Sequence, residues 1–250
     1  MKVRNRLLNF GDNIIYQDND CFLFSLDSML LANFVSIRLS DKKIIDFCSG
    51  NAPIPMLLTF RTKARIFGVE LQEYIYNMGL ESIKENKMDK QIEYINDDVK
   101  NIMKHFDSET FDIVTCNPPY FKYKSDSLVN INDMKTIARH EVCLTLDDVV
   151  TNAKYLLRSG GTFAMIHRPD RLIEIINIMQ KNSIEPKRIR MVYPKAGKNA
   201  NMILVEGVKN GKSGLKIEKP LIVYDNNGNY VDEVRRMFGV DSDVAEKLWW

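Results

Sequence analysis

Lys43-Ile44-Ile45-Asp46-Phe47-Cys48 is a short apolar run carrying one acid, and it gives way to the small-residue turn Ser49-Gly50-Asn51-Ala52. A run of this length bounded by a turn reads as a buried strand entering a loop. Residues 53–60 continue with apolar side chains suited to a helix. The same unit recurs outward from there. Residues 65–69 make a second strand ending on Glu70, and residues 71–87 carry Tyr74, Ile75, Met78 and Ile83 at helical spacing among charges. Residues 92–95 are a third strand, ending at Asn96-Asp97-Asp98, and residues 111–115 a fourth, ending at Cys116-Asn117-Pro118-Pro119-Tyr120. Residues 147–158 read as a helix closed by Ser159-Gly160-Gly161, with a fifth strand over 162–167. An amphipathic helix over 171–181 and two strand-like runs, 189–193 and 202–207, complete the pattern. Strands alternate with helices, so the expected class is α/β, an open and mostly parallel doubly wound sheet.

Two regions lie outside this alternation. Residues 1–40 precede the first sheet strand and are expected to form a small N-terminal cap, a hairpin plus a helix. Residues 121–145 are too long and too poor in pattern for a simple connector and are either a lid or a disordered loop. The chain of 250 residues reads as one domain, with its core over 41–210 and a C-terminal extension over 211–250. With 45% hydrophobic and 27% charged residues it has the composition of an ordinary globular protein. The apolar stretch 22–35 is interrupted by Ser25, Asp27, Ser28 and Asn33, well before the roughly 20 residues a membrane span needs. No apolar leader follows the basic N-terminus, so the expected location is cytoplasmic. Cys21, Cys48, Cys116 and Cys143 lack the close pairing of a zinc site or disulfide framework, and His105, His140 and His167 form no ligand pattern; no metal is expected.

Ligands of doubly wound sheets sit at the carboxyl ends of the strands. Four constellations fall there. Asn117-Pro118-Pro119-Tyr120 is either a proline turn closing a strand or, with an aromatic following and the fourth strand before it, the expected seat of the chemistry: the exocyclic amine of adenine is a poor nucleophile, and the Asn117 oxygen with the Pro118 carbonyl can accept its N–H bonds and position the nitrogen. The prolines stiffen the turn, and Tyr120 offers a face for a turned-out base. Asp46 to Ala52 is a degenerate glycine loop, with Cys48 and Ala52 where glycines would be commoner; its small residues let a nucleotide approach the backbone. Glu70 at the next strand end can bind both hydroxyls of a ribose. Asp97 or Asp98 either accepts from an adenine amino group or caps the following helix.

The order of these elements resembles class I amino-methyltransferases acting on adenine N6. More narrowly, the stretch from Phe24 to Ala32 (Phe-Ser-Leu-Asp-Ser-Met-Leu-Leu-Ala), Ile137-Ala138-Arg139-His140-Glu141, and the C-terminal stretch from Tyr230 to Arg236 are similar to the bacterial tRNA adenosine-37 N6-methyltransferases. The resemblance implies a Rossmann-like, seven-stranded, mostly parallel sheet with helices on both faces. It also implies S-adenosylmethionine as cofactor and the tRNA anticodon loop as target. Asn117, Pro118 and Tyr120 would be catalytic. Asp46, Cys48, Ser49, Gly50, Asn51, Glu70, Leu71, Asp97, Asp98, Val99 and Asn117 would hold the cofactor. Ser25 and Asp27 would close that pocket, or else cap a helix starting at Leu26 or Ser28. Tyr120, Phe121, Lys122, Arg139, His140, Lys187, Arg188, Arg190, Lys195 and Lys198 would meet RNA.

The formal net charge of +2 does not by itself mark a nucleic-acid binder, but its distribution is uneven. Between Glu185 and Lys219 nine basic residues, Lys187, Arg188, Arg190, Lys195, Lys198, Lys209, Lys212, Lys216 and Lys219, face only Glu185, Glu206 and Glu218. This run either holds tRNA phosphates or is a solvated face that protects edge strands. Rival targets for the same Asn-Pro-Pro-Tyr turn are adenine in ribosomal RNA or DNA and a protein glutamine amide; from a different class comes a non-catalytic RNA-binding protein. The oligomeric state is expected to be monomer or homodimer.

Overall fold

The computed structural model describes residues 1–7, 10–18, 25–118, 120 and 144–239. An antiparallel hairpin, β1 (Lys2–Arg6) and β2 (Ile14–Asp18), is followed by helix α1 (Leu26–Phe34). Then come β3 (Lys43–Phe47), α2 (Pro53–Thr59), β4 (Arg65–Glu70), α3 (Glu73–Glu85) and β5 (Ile92–Asn96). A 3-10 turn over Val99–Lys104 leads to β6 (Phe111–Cys116). The chain continues through α4 (Leu146–Leu156), β7 (Leu157–His167), α5 (Leu172–Lys181), β8 (Ile184–Lys195) and β9 (Met202–Lys209). It closes with β10 (Lys216–Ile217), β11 (Leu221–Tyr224) and α6 (Asp232–Met237).

The main sheet runs β10-β8-β9-β7-β6-β3-β4-β5, with β11 also on the edge of β8. Strands β3 to β7 pair in parallel, and β9 runs antiparallel to both β7 and β8. The seven strands expected are β3 to β9; two short ones lengthen the sheet to nine. Both are parallel to β8, on Arg188–Ile189 and on Val192–Lys195, and Pro220, which has no N–H for a ladder, separates them.

Alternation along each buried strand splits the core between the two faces of the sheet. Ile44, Ile66, Ile113, Ala164 and Ile166 join Met29, Leu30, Ile54 and Met56 of α1 and α2 on one side. Ile45, Phe47, Phe67, Val114, Phe163 and Met165 join Val149, Ala153, Ile175 and Met179 of α4 and α5 on the other.

One expected boundary is corrected. Helix α4 starts from a capping box on Thr145 and ends at Leu156; Ser159-Gly160-Gly161 does not close it but lies inside β7, where the register slips between Phe111 and Ile113. Gly160 adopts φ +79°, and a Cβ on Gly161 would sit 2.9 Å from the Arg158 carbonyl oxygen, so the irregularity needs both glycines. The N-terminal hairpin is bolted to α3: Tyr16 N–H donates to Ser82, the Asn86 carboxamide pairs with both backbone groups of Ile14, and Arg4 meets Glu85 at 2.7 Å.

Candidate active site

The carboxyl ends of β3 to β7 fall at nearly one level. Asp46 pairs with Gly68 and Thr115 across the sheet, Thr115 with Ala164, and Glu70 with Asn96. The loop after β3 turns tightly because Cys48, Gly50 and Ala52 all take positive φ (53°, 59° and 67°). Ala52 therefore occupies the left-handed conformation where a glycine was expected, and α2 begins directly after it. The strain is offset by bonding: Ser49 N–H donates to the Val69 carbonyl, Ser49 Oγ to the Asp46 carbonyl, Gly50 N–H to Glu70 at 2.9 Å, and Asn51 to the Tyr16 carbonyl of the hairpin. No atom lies within 4 Å of where a Cβ on Gly50 would be, so the backbone there is open to a ligand.

Two carboxylates line this loop, and both are buried. Glu70 accepts from Gly50 N–H and from Gln72 N–H (2.8 Å), yet burial raises its pKa to about 7. Asp46 accepts from Thr115 Oγ1 at 2.6 Å; its other oxygen, Oδ2, is buried without a hydrogen-bond partner. Burial, reinforced by the charge of Glu70, raises Asp46 to about 7 as well. An orphaned carboxylate oxygen beside an open backbone calls for a ligand with N–H or positive charge.

The next strand ends supply the remaining expected residues. Leu71 is exposed, and its carbonyl and that of Glu70 accept from Asn96. Asp98 caps the 3-10 turn through Lys100 N–H. Asp97 bonds His105 at 2.7 Å and Asn101 at 2.9 Å, and the histidine contact first, then Asn101, holds it at about 2. Both acids are thus engaged locally, and Val99 is buried in the core beneath them.

At the end of β6, Asn117 is half-buried and Pro118 buried. The Asn117 carboxamide presents Oδ1 to the Tyr120 hydroxyl (2.5 Å) and Nδ2 to Ser28 Oγ (3.4 Å). The same hydroxyl lies 2.7 Å from Asp27 Oδ2. Asp27, in the first turn of α1, therefore reaches the Asn-Pro turn at the end of β6, and Ser25, at the N-cap of α1, makes no capping hydrogen bond. The Tyr120 ring meets His167 edge-on with centroids 5.4 Å apart. His167 is fully buried at the end of β7; its Nδ1 accepts from Arg168 N–H, its Nε2 has no partner, and burial lowers its pKa to about 4.

Sequence reasoning missed Thr115, Tyr94, Ser28 and His167 as parts of this site. Thr115 had a local signal, a polar residue at a fully buried position near the end of an otherwise mostly apolar strand. Tyr94 sits under the loop and donates to the Gly50 carbonyl; Gly68 and Gly79 make room for it, since a Cβ on either would come within 2.7 Å of its ring.

The expected RNA residues divide. Pro119, Phe121, Lys122, Arg139 and His140 lie outside the described residues, as does most of the 121–145 segment. The basic run splits along β8. Arg188 is level with Glu206 and, through it, with Ala164 in mid-sheet. It is half-buried, bonded to Glu206 (3.0 Å) and Glu218 (2.7 Å), and stacked over Phe34. Arg190 pairs with Glu233 at 2.7 Å and donates to the Lys219 carbonyl, and Lys187 donates to the Lys212 carbonyl. Carboxylates thus pair with both Arg188 and Arg190. Lys195 and Lys198 lie instead beyond the level of His167, at the site end of the sheet. Among the described residues no group of three His, Cys, Asp or Glu side chains could hold a metal ion, and no helix is long and apolar enough to cross a membrane.

A sheet of this order, with a glycine turn after β3, an acid ending β4 and an Asn-Pro turn ending β6, defines a class I methyltransferase fold. The family model described as methyltransferase small domain matches residues 25–182, and the chain belongs to that family. A relative from Phocaeicola vulgatus named tRNA1(Val) (adenine(37)-N6)-methyltransferase is 25% identical over 202 residues, 80% of this chain and 83% of that protein. Among solved structures, a predicted O-methyltransferase from Agrobacterium tumefaciens superposes with a TM-score of 0.69 at 22% identity, covering 86% of this chain and 96% of that one. Geranyl diphosphate C-methyltransferase from Streptomyces coelicolor, solved with S-adenosyl-L-homocysteine, gives 0.54 at 12% identity, covering 73% and 76%. The solved neighbours methylate oxygen or carbon by name, so the shared fold leaves the acceptor atom to the site.

Proposed function

We propose that this chain transfers a methyl group from S-adenosylmethionine to the N6 nitrogen of an adenine in tRNA, at adenosine 37 beside the anticodon. The observation that carries the reading is the alignment of Glu70, Asp46 and Asn117 at the ends of three adjacent strands, which sets an amide acceptor beside a carboxylate-lined loop. The tRNA target rests on the name of the Phocaeicola vulgatus relative.

The residues fit the cofactor. Asp46 Oδ2, buried and orphaned, suits its ammonium group, and the free lone pairs of Glu70 suit its ribose hydroxyls. The open backbone at Gly50 allows close approach. When bound, the cofactor supplies an electrophilic methyl. The chain does the rest by positioning: Asn117 Oδ1 and the Pro118 carbonyl accept the two amine N–H bonds and orient the nitrogen lone pair. No strong general base is required, because the proton becomes acidic once nitrogen carries the methyl. Tyr120 offers its ring to the turned-out base, and a loop nucleotide has little pairing to lose. Lys195 and Lys198, at the same end of the sheet, would meet phosphates.

The test is transfer of label from methyl-labelled cofactor to unmodified tRNA, ribosomal RNA, duplex DNA and total protein in parallel. Label in tRNA alone is expected; label confined to another class would replace the substrate assignment.

A further inference from the structure

The Tyr120 hydroxyl stands within hydrogen-bond distance of two acceptors at once, Asp27 Oδ2 at 2.7 Å and Asn117 Oδ1 at 2.5 Å. A phenol has one proton, so it can serve only one of them at a time. Asn117 Oδ1 is also the atom to which the proposed function assigns the substrate amine. The two acceptors are reached from one position of the ring, which His167 flanks edge-on. Changing partner therefore requires only rotation of the O–H bond, with no change of rotamer. Asp27 comes from α1, outside the sheet, and nothing in the cofactor loop is among its described bonds.

We infer that Asp27 is a positioning residue for the acceptor substrate: it takes the Tyr120 hydroxyl when the adenine amine arrives, freeing Asn117 Oδ1, which the hydroxyl otherwise occupies in the substrate's place. The inference rests on the proposed function. Without Asp27 the hydroxyl has Asn117 as its one strong acceptor, and the incoming amine must displace it. A carboxylate is the stronger acceptor of the two, so the wild-type arrangement favours the open position once the amine competes.

The test is a double-mutant cycle on Asp27→Ala and Tyr120→Phe. Two readouts are taken: the Kd of unmodified tRNA with S-adenosylhomocysteine present, and kcat and KM for methyl transfer. Losing one neutral hydrogen-bond competition corresponds to about a tenfold weakening. Asp27→Ala should therefore weaken tRNA binding and raise KM about tenfold with Tyr120 present, and by less than about twofold in the Tyr120→Phe background, where no hydroxyl competes. Cofactor affinity should move by less than about twofold throughout. Asp27→Asn, which keeps an acceptor oxygen, should lose less than Asp27→Ala, a grading that general misfolding would not produce. Equal losses in both backgrounds, or loss of cofactor binding in place of tRNA binding, overturn the switch while leaving the substrate reading intact. A wild-type chain that neither binds nor methylates tRNA overturns the substrate reading, and the switch with it.

Discussion

Asp46 and Glu70 stand on adjacent strands, both buried, and the charge of Glu70 adds to the desolvation that holds the Asp46 carboxyl at about 7. Both pKa values are raised above their unfolded values. Such groups contribute stability that is fully present below about pH 4 and is lost as pH rises through about 7. Without ligand, these two groups should make thermal stability decline between about pH 4 and 7 and level off above that. His167, lowered to about 4, acts in the opposite sense, withdrawing stability as pH falls from about 6.5 to 4. A cationic cofactor selects the ionised carboxylates, so its binding should release protons and tighten as pH rises from 6 to 8. Calorimetry in two buffers of different ionisation enthalpy measures that release; proton uptake would contradict the pairing.

Asn117→Ala should lower kcat about 100- to 1,000-fold, the cost of one preorganised polar contact at a reacting atom. Cofactor affinity, measured by calorimetry, should change by less than about threefold. Full activity in this variant would remove Asn117 from the chemistry.

Glu70→Ala should separate from it. The carboxylate braces Gly50 N–H and, on the proposed function, receives the ribose hydroxyls, so cofactor affinity should fall at least about tenfold, or about 1.4 kcal/mol. Affinity for tRNA should hold, as filter binding would report.

Much of the architecture was legible locally. Most of the parallel strands are apolar runs ending on an acid, an asparagine or a turn, and that pattern located β3 to β7. Gly160-Gly161 misled, because a glycine pair after a helix is the usual stop signal and here it builds an irregularity in β7. Strands β10 and β11, two and four residues long, are too short for periodicity to register. The contact of Asp27 with Tyr120 spans 93 positions and has no local signature. Charge counting in β8 could not tell that Arg188 is consumed by Glu206 and Glu218, since those partners come from β9 and from beyond it.

That division along β8 yields a contrast. Replacing Lys195 and Lys198 together by Ala should weaken tRNA binding and flatten the slope of log affinity against log salt by about 1.5, as expected for two lost phosphate contacts. Arg188→Ala should leave that slope unchanged and lower the melting temperature instead, because it strands Glu206, which is 3% exposed. Titrations at four salt concentrations distinguish the two.

Gly68→Ala tests the packing beneath the loop that follows β3. A Cβ there would lie 2.7 Å from the Tyr94 ring and 2.9 Å from Ser49 Oγ. The expected cost is about 1–3 kcal/mol of stability, read by urea unfolding, together with weaker cofactor binding, because the displaced side chains support Gly50.

The central claim is met most directly by incubating the protein and labelled S-adenosylmethionine with unmodified tRNA, then digesting to nucleosides and mapping the modified position by mass spectrometry. The account predicts N6-methyladenosine at the position following the anticodon, absent with Asn117→Ala. Label on a different atom or base, or equal label with Asn117→Ala, would contradict it.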